Sequence, residues 1–379
     1  MKRLVILTIL LCMLSGCSNI GAAELGERLI IEAIGVDTND EGYTVTVLAL
    51  NTQQTGSANS TDTPDGVAKI FSSSADTLSA AFADIDLISG QIPLYSQTRV
   101  LILGRELAEN CPMNAMNYFL REYTTRDDVL VAVSDTTAAE IIRFRPGKNE
   151  LVSKTIHSIL RSGKFNGMTL TMPIYKFINN LVNTTDSAAL PILTLQKNLQ
   201  ADREEIDLKG TALFASRTWT ATLNAEDSKG MLIASDDFDS GPLEVEFKNE
   251  KISLAIQRCK SKIRYSNDNG PHFTITISFS SDIIEYNAPQ RKNLDMKTLE
   301  SVRKLSEEKM ISCVENFIEN AMRNNGCDCL SFGRILKNKD PAEYETAIAD
   351  FSKFLKNVPV TVIAESKITR TGKEILPFE

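Results

Sequence analysis

Alternating apolar and polar residues mark the β-strands of this chain. In HFTITISFS, residues 272–280, Phe273 and every second residue after it share one face, while threonine and serine share the other. The segments RLIIEAIGVDT and GYTVTVLAL flank the turn-rich NDEG and predict a strand pair closed by a short polar loop. The continuous apolar run from Val100 to Leu103 predicts a strand buried on both faces.

Apolar residues at helical spacing separate these strands. One such pattern begins after Asp76, and Gly90 stands where a C-terminal cap would end the helix. Thr137 and Glu140 have capping-box spacing at the start of another helix. A long helix is predicted over about residues 297–323, and another near residues 342–355. This order of elements predicts an α/β (mixed α+β), multidomain fold in which β-sheets pack against helices.

The changes in pattern along the chain predict its division into segments. We expect a signal peptide at residues 1–16, a lipidated tether at 17–27 and an N-terminal α/β domain at 28–144. A mainly helical middle region follows at 145–200. After the charged linker ADREE, a C-terminal α/β domain at 206–375 is expected to open with the strand LKGTALFAS.

The N-terminus has the features of an export signal. The apolar run from Leu4 to Leu14 follows two basic residues and is about half the ~20 residues that a membrane-spanning helix needs. It ends in Leu-Ser-Gly-Cys, residues 14–17, which resembles the bacterial lipobox. The resemblance implies cleavage between Gly16 and Cys17 and attachment of diacylglycerol, with further acyl lipid, to Cys17. An ordinary secretory signal that happens to precede a cysteine is the alternative.

Composition limits the partners of the mature chain. The formal net charge is −8, and removal of Lys2 and Arg3 gives −8 − 2 = −10. A chain this acidic is not expected to bind nucleic acid or anionic lipid through charge. No later stretch is apolar enough to span a membrane, so we expect the mature chain on the outer face of a membrane, held there by lipid alone.

Two closely spaced cysteines, Cys327 and Cys329, invite a metal or redox interpretation. Zinc needs four ligands, and the only histidines, His157 and His272, are remote in sequence. We therefore favour structural thiols on a turn and predict no metal and no cofactor. The odd number of cysteines after Cys17 implies at least one unpaired thiol, unless an intermolecular bond forms.

Other catalytic patterns are weak. Residues 301–304 and 306–309 both match SxxK, but no KTG or SDN partner follows, and glycine-rich nucleotide-binding motifs are absent. The carboxylate pairs at 204–205 and 236–237 lie in polar, loop-like stretches and are interpreted as solvated surface. Trp219, the only tryptophan, is interpreted as a packed strand residue. We therefore predict that the protein is not an enzyme.

Several segments in a fixed order carry a family resemblance. They are IEAIGVDTNDEGYTVTV, the helix–strand segment at 77–108, GTALFASRTWTATLNAEDSKGML, CDCLSFGRIL and the final strand at 358–372. Together with the lipobox, these segments resemble the Ger(x)C family, the C-subunit lipoproteins of bacterial spore germinant receptors. The resemblance spans the mature chain nearly end to end.

The resemblance implies an elongated three-domain protein on the outer surface of the inner spore membrane. It implies assembly there with two integral membrane subunits, A and B, a requirement in nutrient-triggered germination, and no enzymatic activity. Two other hypotheses stay open. One is an extracytoplasmic solute-binding lipoprotein that delivers a ligand to a transporter, and the other is an exported thiol enzyme that uses Cys327 and Cys329.

Overall fold

A computed structural model describes most of the chain. The described residues are 27–40, 42–50, 68–122, 125–147, 150–198, 202–286 and 295–370. The predicted signal peptide, its cleavage site after Gly16 and the predicted lipid attachment at Cys17 lie outside them. The strands form two sheets and helices pack against them, which confirms the predicted mixed α/β fold class.

The first sheet contains nine of the described strands. They are β1 (Arg28–Asn39), β2 (Gly42–Leu50), β3 (Ala68–Ala75), β4 (Ile92–Leu94), β5 (Val100–Leu103), β6 (Leu130–Ser134), β7 (Ala188–Asn198), β8 (Arg203–Ala215) and β9 (Thr218–Leu223). Their order is β3-β2-β1-β5-β6-β7-β8-β9, and the short β4 pairs with the start of β1. The β1, β5, β6 and β7 strands run parallel to one another, and antiparallel strands close both sides.

The second sheet has four described strands in the order β10-β11-β12-β13. They are β10 (Gly241–Phe247), β11 (Glu250–Ser266), β12 (His272–Tyr286) and β13 (Val360–Arg370). The last two pair in parallel, with Phe273 opposite Val360. Along β12, Phe273, Ile275 and Ile277 are fully buried, while the residues between them are partly exposed. The predicted alternation in this strand is therefore confirmed.

Helices cover both faces of the first sheet and one face of the second. They are α1 (Leu78–Ser89), α2 (Arg105–Asn110), α3 (Pro112–Arg121), α4 (Ala138–Arg143), α5 (Val152–Asn166), α6 (Ile174–Val182), α7 (Ala225–Ala234), α8 (Met296–Phe317), α9 (Phe332–Lys339), α10 (Pro341–Ala347) and α11 (Phe351–Asn357). The predicted caps are confirmed: Thr137 accepts a hydrogen bond from the amide of Glu140 at 3.2 Å, and Gly90 ends α1 in the left-handed conformation, with φ 63°.

Two predicted helices differ in the structure. The long helix ends as an α-helix at Phe317 and continues as a π-helix over Ile318–Asn324. The helix expected at 342–355 is interrupted by a 3₁₀ turn at Ile348–Asp350, where Asp350 caps the following helix by accepting from the amide of Lys353 at 3.0 Å. A side chain that binds a backbone amide in this way competes with a continuous helix.

The hydrophobic core links the two sheets. On one face of the first sheet, α4 and α5 bury a separate cluster that includes Ile102 and Ile156. The opposite face contributes to one continuous cluster that extends from β1 through α7 to the inner face of the second sheet. Within it, Phe177 contacts Phe214, and Phe273 stacks on Phe332 with ring centroids 3.9 Å apart.

The β8 and β9 strands lie in an unexpected place. We predicted that LKGTALFAS would open the second α/β region, but β8 pairs with β7 from Ala188 to Asn198, and β9 pairs with β8. Both strands extend the first sheet. The predicted linker ADREE also contributes Arg203, Glu204 and Glu205 to β8. Strand pairing therefore crosses the predicted limit at residue 206, and the second sheet begins only at Gly241.

Candidate functional site

The Cys-Asp-Cys segment joins the C-terminal part of the chain to the first sheet. Its central residue, Asp328, is only 1% exposed. The amide of Ser187, just before β7, donates to the carbonyl of Asp328 at 2.9 Å, and the amide of Asp328 donates to the Ser187 hydroxyl at the same distance. This reciprocal pair joins residues 141 positions apart in the sequence.

The Asp328 carboxylate also holds the start of α9. It accepts from the backbone amides of Leu330 at 3.2 Å, Phe332 at 2.9 Å and Gly333 at 2.8 Å. Unpaired amides at a helix start are satisfied by side-chain oxygens, and a negative charge there is favoured by the helix dipole. Asp328, rather than either flanking thiol, therefore organises this segment.

Close backbone approach explains the glycine in CDCLSFG. A Cβ placed on Gly333 would lie 2.4 Å from the Cβ of Thr185, a distance at which one of these two segments of the chain must move. Ser331 adopts φ 57°, a left-handed conformation that turns the chain into α9. The segment before β7 and the start of α9 are thus in direct van der Waals contact.

We call the contact between residues 327–334 and residues 183–187 the junction, and an ion pair also contributes to it. Arg334 on α9 binds the carboxylate of Asp186, whose side chain is 1% exposed, while the arginine side chain is 54% exposed. Asp186 also accepts from the side-chain amide of Asn183 at 3.1 Å. Burial raises the pKa of Asp328 to about 7, and the nearby charge of Asp186 acts in the same direction against three lowering amide hydrogen bonds.

The two thiols of the segment are poor nucleophiles. Cys327 and Cys329 are both unpaired. Burial raises the pKa of Cys327 to about 11 and that of Cys329 well above its ordinary value. A thiol must ionise to attack or to bind zinc, so neither is activated here. Among the described residues, no group of three or more potential ligands could hold a metal ion. His157 lies on α5, and His272 at the start of β12 contacts Thr361.

A cleft of about 690 Å³ lies beside the junction. Its walls come from α6, the end of α7, β11 and the Cys-Asp-Cys segment, and its charged lining residues are Lys176, Asp236, Asp237, Lys262 and Arg334. Lys176 approaches Asp237 at 3.5 Å. Asp236 accepts from the amide of Ser261 at 2.9 Å, which ties the end of α7 to β11. The cleft therefore offers charges of both signs, and the thiol in its lining, Cys329, has a raised pKa.

The SxxK serines engage their own helix. Ser301 donates to the carbonyl of Lys297 at 3.0 Å, and the fully buried Ser306 donates to that of Arg303 at 2.6 Å. Lys309 pairs with Glu226 on α7 at 2.5 Å. Of these three side chains, Lys309 is thus the one whose ion pair joins α8 to α7.

The remaining candidates divide between correct and incorrect predictions. Glu204 and Glu205 belong to β8 and not to a loop, whereas Asp236 and Asp237 do follow a helix end. Trp219 packs against Phe214 within the edge of the first sheet, which confirms its interpretation as a strand residue.

Sequence reasoning missed the residues that form the junction. An aspartate a few residues before a helix is a recognisable capping signal, and it could have singled out Asp328. No local signal points to Asp186 or Ser187, because their role depends on a contact across most of the chain.

Comparison with known proteins gives this architecture a biological context. Residues 21–195 match the family model described as spore germination protein N-terminal domain, and residues 209–372 match the one described as spore germination B3/GerAC like, C-terminal. The chain is 22% identical to spore germination protein GerQC of Bacillus cereus, covering 98% of this chain and 99% of that protein. The crystal structure of the GerBC protein has the same fold: the alignment covers 88% of this chain and 96% of that chain, with a TM-score of 0.60 and 17% identity.

The chain therefore contains both the N-terminal and the C-terminal domain of GerAC-type spore germination proteins. The chain belongs to the Ger(x)C family, the C-subunit family of spore germinant receptors. Within the described residues, none of the helices combines the length and the apolar character needed to cross a bilayer.

Proposed function

We propose that this protein is a lipid-anchored, non-enzymatic subunit of a spore germinant receptor complex. It acts in nutrient-triggered germination through assembly with integral membrane A and B subunits on the outer surface of the inner spore membrane. The collinear match of both halves of the chain to spore germination domains carries this proposal. The lipobox resemblance at residues 14–17 supports the anchor, with diacylglycerol on Cys17.

The junction around Asp328 supports a scaffold role. Two hydrogen bonds between Ser187 and Asp328, the buried Asp328 cap and the Arg334–Asp186 ion pair hold the Cys-Asp-Cys segment and α9 against the segment before β7. A body whose two sheets share one hydrophobic core can present separate surfaces to several partners. The buried thiols and the helix-bonded SxxK serines offer no activated nucleophile, which supports a non-enzymatic role.

The experiment is gene deletion followed by rescue in spores. Deletion in a strain that also lacks related receptors is expected to abolish germination with nutrients. The native gene should restore it, and the Cys17→Ala gene should restore it poorly because the chain loses its anchor. Unchanged germination in the deletion strain would contradict the proposal.

A second candidate function is a solute-binding lipoprotein, and the 690 Å³ cleft with charges of both signs favours it. A solute-binding protein of this class should show a melting temperature that rises with its ligand. A screen of nutrients against the purified protein, with an Asp237→Asn/Lys176→Met variant as the control, tests this. A rise in melting temperature that the variant lacks would favour the solute-binding function over the scaffold role.

A further inference from the structure

Three aliphatic side chains form an exposed tip on the N-terminal domain. Leu87 is 80% exposed, and Ile88 and Ile92 are also largely exposed. They belong to the end of α1 and the start of β4, on either side of the Gly90 turn. We call these three residues the apolar tip. Scattered exposed apolar residues are ordinary, but three within six positions around one tight turn are a local concentration.

The apolar tip lies where the chain enters the first sheet. Ile92 pairs with Arg28, the first residue of β1, and the side-chain amide of Gln91 donates to the Arg28 carbonyl at 3.5 Å. Because β1, β4, β5 and β6 are parallel, their starting ends lie on the same side of the sheet. The tip is therefore at the end of the domain from which the N-terminal tether leaves.

Further apolar surface occupies the same end. Leu120 and Tyr175 are about half exposed and line a groove of about 630 Å³. Leu120 is at the end of α3, and Tyr175 is at the start of α6, where Ile174 donates to the carbonyl of Val129 just before β6 begins. The end of the sheet nearest the tether thus carries several exposed apolar side chains from separate elements.

The tether sets how far this end can lie from a membrane. Residues 17–27 are eleven positions, which span at most about 40 Å when fully extended. If Cys17 carries lipid, as the proposed function requires, the apolar tip is confined within that distance of the bilayer surface. Burying exposed aliphatic side chains at the boundary of head groups and acyl chains is favourable and needs no positive charge. That suits a mature chain whose formal net charge is −8 − 2 = −10 once Lys2 and Arg3 are removed.

We propose that the apolar tip inserts into the lipid bilayer, so that the N-terminal domain lies against the membrane and is not suspended on a free tether. The partner that covers this surface is the phospholipid of the bilayer. This inference rests on the proposed anchor, and it adds a second membrane contact made by the folded domain.

A single tryptophan placed in the tip tests the proposal. In a Trp219→Phe background, Leu87→Trp is compared with Met296→Trp, an equally exposed position at 78% on the start of α8 beside the second sheet. The lipidated full-length proteins are reconstituted into phosphatidylcholine vesicles with and without brominated acyl chains. The fluorescence of the Leu87→Trp protein is expected to shift to the blue in plain vesicles and to be quenched in brominated ones, and that of the Met296→Trp protein is expected to be unaffected. An Ile88→Trp variant provides a second reporter if Leu87→Trp folds poorly.

Each other outcome overturns the insertion. No quenching at either position in protein that floats with the vesicles means that the tether alone holds the chain. Quenching at both positions means indiscriminate adsorption. Quenching at position 87 that disappears when the A and B subunits are reconstituted together with the chain means that a protein partner, and not lipid, covers the tip. Mass spectrometry shows whether Cys17 carries lipid, so it distinguishes a protein without its anchor from a protein whose apolar tip does not insert. If Cys17 carries no lipid, an unquenched Leu87→Trp protein in a mixture with excess vesicles still refutes insertion of the apolar tip.

Discussion

The contact between Gly333 and Thr185 makes the junction of the two sheets directly testable by Gly333→Ala. Gly333 lies in the first turn of α9 without a positive φ, so helix propensity alone predicts that alanine stabilises by up to about 0.5–1 kcal/mol. The added Cβ, however, would lie 2.4 Å from the Thr185 Cβ and 2.9 Å from the Phe351 ring. Overpacking of this kind typically costs about 1–3 kcal/mol.

Helix propensity and overpacking change the free energy of unfolding in opposite directions, so the sign of the measured change distinguishes them. The net expectation for Gly333→Ala is a loss of about 1–2 kcal/mol in the free energy of unfolding, measured by urea denaturation at unchanged slope. Because the Thr185 Cβ itself is the obstacle, Thr185→Gly should relieve the clash and make the double variant more stable than additivity predicts. Thr185→Gly alone is the control. A Gly333→Ala protein as stable as the native protein would refute the close packing of α9 on the segment before β7.

Three further predictions concern single side chains. Arg334→Met leaves the Asp186 carboxylate buried without its cation and should cost about 3 kcal/mol of unfolding free energy, the low end for a buried pair because the arginine is half exposed. Burial lowers the pKa of His157 in the folded protein. The neutral imidazole therefore contributes stability above about pH 6.5, and this contribution is lost as the pH falls through the folded-state pKa. His157→Gln should flatten the pH dependence of the melting temperature in this range. A thiol reagent should label Cys111 in the folded protein and Cys327 only after unfolding, because burial raises the pKa of Cys327 to about 11.

Each of these predictions has its control. Arg203→Met removes a cation whose partner Glu205 is itself exposed, and should lower the free energy of unfolding much less than Arg334→Met does, so an equal loss in both arginine variants would contradict the role of burial. A His157→Gln protein with the native pH profile would show that this imidazole does not titrate differently on folding. Labelling of Cys327 at the same rate as Cys111 would mean that the segment opens in the native state.

Local patterns in the sequence predicted individual elements well. The alternation in β12, the continuous apolar run of β5 and the glycine cap after α1 are all set by neighbours close in the chain. Such neighbours determine which face of a strand is apolar and where a helix ends. The predictions that depended on these features are confirmed.

Long-range pairing could not be predicted from the same patterns. The alternation in LKGTALFAS predicts a strand but does not specify its partner, and the structure pairs it with β7 instead of with the second sheet. The Cys-Asp-Cys segment drew attention to its sulfur atoms, but its chemistry depends on Asp328 and on Ser187, 141 positions away. A hydrogen bond across that separation has no periodicity that a sequence could display.

The proposed function requires that the chain work as a lipid-anchored subunit of a membrane receptor. The most direct measurement is purification of the tagged protein from detergent-solubilised spore membranes, native and Cys17→Ala, with quantification of the integral A and B subunits that accompany each. We predict that the native chain recovers both subunits and that the Cys17→Ala chain is lost from the membrane fraction and recovers far less of them. Recovery of the native chain without either subunit, or undiminished membrane assembly of the Cys17→Ala chain, would contradict the account.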